Sequence, residues 1–260
     1  AFARPMLEAL DTNPKGFNIQ SVNVITSSGV MWTREIKAGL LTHNENLLLV
    51  DGFSSSEAIG LGSSVMTKDA QIDVAKFTIG ANCRVFTEDH RTINPRDNEP
   101  GLVAVTGHLP LGYYKDPEKT AKTFQYIQGE RYSVPGDWVQ VESGGSLTLL
   151  GRGSNCINTA GEKVFPEEVE EALKHHEHIE DALVIGLPDP KWGQAITAVI
   201  QTRGNQPLQS GDLKEWARSL LAAYKLPKHI FIKENLNRAP NGKADYKSIK
   251  QFAEDRLKSG

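Results

Sequence analysis

Four short stretches carry residue types suited to phosphate and carboxylate chemistry. The first is Asp51-Gly52-Phe53-Ser54-Ser55-Ser56-Glu57. Its small residues let backbone approach a ligand, its hydroxyls can donate to phosphate oxygens, and Glu57 can hold a cation. A serine-rich solvent loop explains the same residues. The second is Gly136-Asp137, behind Pro135 and ahead of an apolar run. A carboxylate at the mouth of a strand can accept both hydroxyls of a ribose, although Gly-Asp is also an ordinary turn. The third joins Gly151-Arg152 to Thr159-Ala160-Gly161 and then Phe165-Pro166-Glu167-Glu168. Arg152 offers a rigid cationic fork and Ala160-Gly161 bare backbone. A linker followed by a capped helix accounts for Pro166 and the glutamates, but not for Arg152 or the small-residue loop. The fourth is Arg238-Ala239-Pro240-Asn241-Gly242-Lys243. A lysine behind a Pro-Asn-Gly turn sits at a mobile tip, where it can bring a point charge to a phosphate or carboxylate. An exposed turn lysine is the plain alternative.

His175, His176 and His178 are spaced by one and two residues, so they do not share a helix face as a metal pair would. They are expected to be cations facing the C-terminal end of a helix.

The elements that must position these groups fall into three styles. Residues 6–10 predict the end of a helix, 22–25 a buried strand, 33–41 a helix and 46–50 a second buried strand, which is α/β grammar. From residue 72 to 150 the pattern turns to short β-rich runs at 76–80, 84–86, 101–105 and 138–141. There Glu142-Ser143-Gly144-Gly145-Ser146 predicts the turn of a hairpin, and a small barrel or sheet suits the region. Gly153-Ser154-Asn155 is the expected junction, placing domains at 1–152 and 153–260. The second predicts helices from Pro166, Asp212 and Tyr246 and strands near 182–185, 196–201 and 230–232, a compact α+β domain. Proline followed by glutamates suits a helix start.

At roughly 150 residues per domain, 260 residues allow one large domain or two smaller ones. Lys and Arg total 29 against 32 Asp and Glu, a net charge of -3, which argues against a polyanion-binding surface and so against nucleic acid. The longest aliphatic stretch, Leu47-Leu48-Leu49-Val50, falls far short of the ~20 apolar residues of a transmembrane span. Two cysteines make no disulfide framework and no zinc pattern, so the expected location is the reducing cytoplasm. A homo-oligomer is allowed but not required.

Taken in order, the motifs resemble those of the adenylate-forming superfamily, which includes acyl-CoA synthetases. Phe53-Ser54-Ser55-Ser56-Glu57 is similar to its aromatic-Gly-x-Thr-Glu motif, with Ser54 in place of glycine. Gly101-Leu102-Val103-Ala104-Val105-Thr106-Gly107 and Gly112-Tyr113-Tyr114-Lys115-Asp116-Pro117-Glu118-Lys119-Thr120 match its next segment. Pro135-Gly136-Asp137, Gly151-Arg152, residues 161–170 and Gly242-Lys243 follow in the family's order. The hinge departs from the family, with Ser154-Asn155 where Asp or Lys is usual.

The resemblance implies two half-reactions. A carboxylate attacks the α-phosphate of ATP to give an acyl-adenylate and pyrophosphate; the thiol of coenzyme A then attacks the acyl carbonyl and expels AMP. It implies Ser28, Gly29 and Val30 along the adenine, Asp51, Gly52 and Phe53 continuing that wall, Ser56 on the α-phosphate and Glu57 on Mg²⁺. It also implies Asp137 on the ribose with Arg152 beside it, and a hinge at Gly153 and Ser154. Thr159, Ala160 and Gly161 would line the coenzyme A tunnel, and Lys243 would be the catalytic lysine bridging carboxylate and α-phosphate. The wording around residues 156–163 and 240–246 is most similar to bacterial fatty-acid or steroid-side-chain acyl-CoA synthetases. A fatty acyl-AMP ligase serving a carrier protein, and a non-catalytic nucleotide- or coenzyme A-binding module, stay open as alternatives. The family's Pro-Lys-Gly phosphate loop is not found in this sequence. The chain therefore resembles the C-terminal part of a synthetase and is expected to be inactive alone.

Overall fold

Helix α1 (Ala3–Thr12) precedes strand β1 (Val24–Ser28), and helix α2 (Arg34–His43) returns the chain to β2 (Leu48–Ser55), which lies parallel to β1. In this computed structural model the described residues are 2–29, 33–70, 76–97, 99–204, 208, 210–240 and 242–259. Thr33 caps α2 by accepting from the Ile36 N–H. Leu10, Ile36, Leu40 and Leu41 of the two helices bury against Leu47, Leu49 and Met66.

Two sequence expectations change here. β1 starts at Val24 and is the outermost strand, so its side chains alternate between exposed and half-buried rather than being buried. The serine-rich stretch is not a loop. β2 runs through it to Ser55 and pairs antiparallel with β3 (Ala58–Met66), leaving only Ser56 and Glu57 as the turn. Leu49, Asp51 and Phe53 point inward at every second position, so cross-strand pairing overrides the weak strand propensity of Gly and Ser.

The sheet continues through β4 (Lys76–Ile79), β5 (Cys83–Phe86) and β6 (Pro100–Val105). After helix α3 (Pro117–Thr123) come β7 (Phe124–Ile127), β8 (Glu130–Ser133), β9 (Asp137–Val141) and β10 (Ser146–Arg152). Its order is β1-β2-β3-β4-β10-β9-β6-β8-β7, with β5 on β6. The predicted hairpin turn is present: the Gly145 N–H donates to the Glu142 carbonyl at 2.8 Å and the Glu142 N–H to the Ser146 carbonyl at 2.9 Å.

The chain divides into two compact units, Ala1–Leu150 and Gly151–Gly260, so the division falls within β10. The second unit holds β11 (Ile157–Thr159), β12 (Glu162–Val164), α4 (Pro166–Lys174), β13 (Ile179–Asp189), β14 (Gly193–Thr202), α5 (Ser210–Ala217), β15 (His229–Ile232) and α6 (Tyr246–Ser259). β13 and β14 form a long hairpin buried on both faces. Ala182 and Val184 pack under Val169, Leu173 and Leu213, while Leu183, Ile185 and Leu187 pack on Ile249 and Ala253. Strands covered on both sides read as continuous apolar runs, which is why their centres were legible in the sequence. The α/β, β-rich and α+β grammar therefore holds. Among the described residues no helix is long and apolar enough to cross a membrane.

Candidate functional site

The parallel register of β1 and β2 sets Ser28 beside Gly52, and Ser28 Oγ lies 3.4 Å from Ser54 Oγ. Gly29 follows with φ 85°, and Val30 lies outside the described residues. Asp51 and Phe53 take the opposite face of β2. The Asp51 carboxylate receives the Lys37 ammonium of α2, both side chains being buried, and the Phe53 ring packs 5.3 Å from that of Phe77. At positions 51 and 53 the strand therefore offers a ligand its backbone, while Ser28, Gly52 and Ser54 form the outward surface.

The β2–β3 turn presents Ser56 exposed and Glu57 half-buried. Glu57 Oε1 accepts the Tyr113 hydroxyl at 2.5 Å. Tyr113 is held in turn: its N–H donates to Thr120 Oγ1 at 2.9 Å, and the Lys119 ammonium lies 3.9 Å from its ring centre. Gly112 is needed for this wrap, since a Cβ there would stand 2.5 Å from Thr120 Cγ2. Asp116 caps α3 through the Lys119 N–H, with Pro117 at the first helical position. The segment from Gly112 to Thr120 is thus folded so that it delivers a phenol to Glu57, a partner that the spacing of 56 residues concealed.

Among the described residues no group of three or more His, Cys, Asp or Glu could hold a metal. One carboxylate beside a phenol fits Mg²⁺ shared with phosphate oxygens, not a cage made only of protein ligands. Asp137 is the first residue of β9, half-buried, and follows Gly136 at φ 94°.

In the second unit Arg152 is the exposed last residue of β10, its N–H 3.4 Å from Glu167 Oε1, and a single 3₁₀ turn spans Gly153–Asn155. Thr159 is buried and pairs with Gly193. Ala160 and Gly161 form the tip of the β11–β12 hairpin, both with positive φ (51° and 88°), and the Ala160 N–H donates to the Trp192 carbonyl at 2.9 Å. An alanine in the left-handed region costs roughly 1–2 kcal/mol, so the hairpin stores strain at the place where bare backbone is displayed.

Lys243 is exposed at the base of a turn closed by two hydrogen bonds. The Ala239 N–H donates to the Lys243 carbonyl at 2.9 Å and the Gly242 N–H to the Ala239 carbonyl at 2.7 Å. Three residues on, the Tyr246 hydroxyl donates to Glu170 Oε1 at 3.0 Å, which also accepts the Val184 N–H at 2.9 Å.

Burial pushes the Glu170 carboxyl from 4.5 up to about 7, against the lowering effect of the Val184 N–H. A carboxyl whose pKa is higher folded than unfolded holds its proton longer in the folded state. Its unit should therefore lose stability as pH rises from about 4.5 to about 7 and level off above, by on the order of 3 kcal/mol in all. Glu170→Gln has no such proton to lose. Denaturant melts should show the variant gaining on the parent across that window and staying ahead above it; parallel pH profiles would refute the assignment.

The histidine expectation changes for His176. α4 ends at Lys174, and burial lowers the pKa of His176, whose ring meets Trp216 edge-on at 4.9 Å. For His176, burial and the Trp216 contact work against the charge expected of a helix-end cation.

Comparison with known proteins adds to this geometry. Residues 168–243 match the AMP-binding enzyme C-terminal domain, a match that ends at Lys243. A medium/long-chain-fatty-acid–CoA/3-oxocholest-4-en-26-oate–CoA ligase of Mycolicibacterium smegmatis is 38% identical over 260 residues, covering 98% of this chain and 47% of the relative. A 3-oxocholest-4-en-26-oate–CoA ligase of Rhodococcus rhodochrous is 39% identical, over 96% of the chain and 46% of its own length. The chain thus spans about half the length of the curated relatives it matches. In fold it resembles the amide bond synthetase McbA of Marinactinospora thermotolerans, with a TM-score of 0.79 at 19% identity, over 96% of this chain and 55% of that one.

Proposed function

We propose that the chain belongs to the adenylate-forming, AMP-binding superfamily and that its residues serve an AMP-forming acyl-CoA synthetase for fatty or steroid-side-chain acids. The carboxylate oxygen attacks the α-phosphorus of ATP and expels pyrophosphate. The sulfur of coenzyme A then attacks the acyl carbon and expels AMP. The observation that carries this reading is the exposed Lys243 on a closed turn, at the end of the match to the AMP-binding C-terminal domain.

In this scheme Lys243 neutralises charge between carboxylate and α-phosphate. Ser28, Gly29 and Gly52 line the adenine with the backbone of Asp51 and Phe53, and Ser56 donates to the α-phosphate. Glu57, oriented by Tyr113, would hold Mg²⁺, which would supply charge neutralisation on the phosphates. Asp137 and Arg152 hold the ribose, and Gly153 and Ser154 form the hinge between domains 1–152 and 153–260. The 159–161 hairpin lines the path of the coenzyme A thiol. A cytoplasmic location belongs to the same proposal, since ATP and coenzyme A are its substrates.

Gly161→Trp tests the division of labour. Among the described residues, apart from its chain neighbours, nothing lies within 4 Å of a Cβ at Gly161, so an added side chain enters open space. In the full-length protein it should slow thioester formation roughly 10-fold or more while leaving ATP–pyrophosphate exchange within about 2-fold. Gly161→Asn, which tolerates positive φ, is the control for backbone strain and should stay near the parent. Equal loss in both steps for the tryptophan variant would remove the hairpin from the coenzyme A path.

A further inference from the structure

Arg238 stands five residues before Lys243 and uses its guanidinium three ways. Nε and Nη2 clamp the two oxygens of Asp181 at 2.5 and 2.9 Å, and Nη1 donates to the Gly242 carbonyl at 3.2 Å. Asp181 lies near the start of β13, the edge strand that pairs with β14 in the second unit's sheet, and the pair is largely shielded, with 27% and 20% of the side chains exposed. Gly242 directly precedes Lys243. One planar group therefore ties the rigid sheet to the peptide from which the lysine springs.

The other end of the loop is fixed independently. Leu236 is buried, with its N–H on Gln201 Oε1 at 3.1 Å, and Tyr246 is held by Glu170. Pro240 cannot donate, and the Gly242 N–H already serves the Ala239 carbonyl. The Gly242 carbonyl is linked to the sheet through Arg238.

We propose that Arg238, locked by Asp181, is a positioning residue that fixes the direction in which the Lys243 ammonium is presented. The proposal rests on the adenylation role assigned above to Lys243. A charge-stabilising group must be preorganised to act, since an ammonium that wanders by an ångström gives up much of its advantage. Lysine at 238 keeps the charge and can still meet Asp181, but it lacks the rigid fork that reaches both Asp181 and the Gly242 carbonyl.

The test is Arg238→Lys, with Asp181→Asn as a second route to the same loosening, in the full-length protein. Each should lower kcat for ATP–pyrophosphate exchange roughly 10-fold, with little change in the KM for ATP. Thioester formation from preformed acyl-adenylate, which does not use Lys243, should stay within about 2-fold. Amide exchange at Gly242 and Lys243 should quicken while β13 stays protected. Equal loss in both half-reactions, or normal exchange kinetics in a variant with a loosened turn, overturns the proposal. If Arg238→Lys fails to fold, the Asp181→Asn result decides by the same criteria. A parent protein inactive with every carboxylate would instead strike at the synthetase reading, and a fully active Lys243→Ala at the role of Lys243; neither pattern is the one that rejects Arg238.

Discussion

Lys243→Ala should lower carboxylate-dependent ATP–pyrophosphate exchange in the full-length protein by at least ~10²-fold, the scale of removing one preorganised charge-stabilising donor. The lysine is exposed, and its turn is closed by backbone hydrogen bonds on either side of Pro240, so truncation to alanine removes the ammonium without disturbing a packed core. Thermal stability should therefore stay near that of the parent, and the loss should fall on chemistry. Lys243→Arg should recover little. A guanidinium is longer and planar, and delivers charge through a fork rather than a point. Thioester formation from supplied acyl-adenylate should survive all these changes. Near-normal exchange in Lys243→Ala would sink the assignment, whereas loss of both half-reactions would move the lysine from chemistry to structure.

The residues around Lys243 show what a sequence can and cannot disclose. Gly242-Lys243 and Ser56-Glu57 are legible because reactive residues at turns keep their local signature wherever the turn goes. The helix starting at Pro166 is legible for the same reason. Even α3 carried a readable signal, Asp116-Pro117 with a free N–H for Asp116 to cap three residues on, although the motif reading did not use it. β3 stayed hidden because Gly60, Gly62, Ser63 and Ser64 give weak strand propensity, and its existence depends on pairing with β2 and β4. The positioning partners were hidden for a different reason. Tyr113 and Glu57 are 56 residues apart, and Arg238 and Asp181 are 57 apart. Nothing in a local pattern links them, since the tertiary fold alone decides which turns, loops and strands come together.

The same limit applies to Asp51, whose resemblance to an adenine-wall residue did not reveal its partner in α2. Lys37→Met should destabilise the first unit by about 3–5 kcal/mol, because it leaves the Asp51 carboxylate buried without its counter-charge. Adding Asp51→Asn should recover much of that loss, since an amide tolerates burial better than an unpaired carboxylate. Denaturant melts of the two single variants and the double variant give the coupling directly. A Lys37→Met variant within about 1 kcal/mol of the parent would mean that the pair contributes little to holding α2 on the sheet. The double variant also separates two roles for the position. If Asp51 serves the nucleotide only through backbone, as its inward carboxylate implies, ATP binding in the full-length double variant should follow its recovered stability. If binding is lost while the fold is regained, the carboxylate itself faces the nucleotide during the reaction, and the Lys37 pair must open for it to do so.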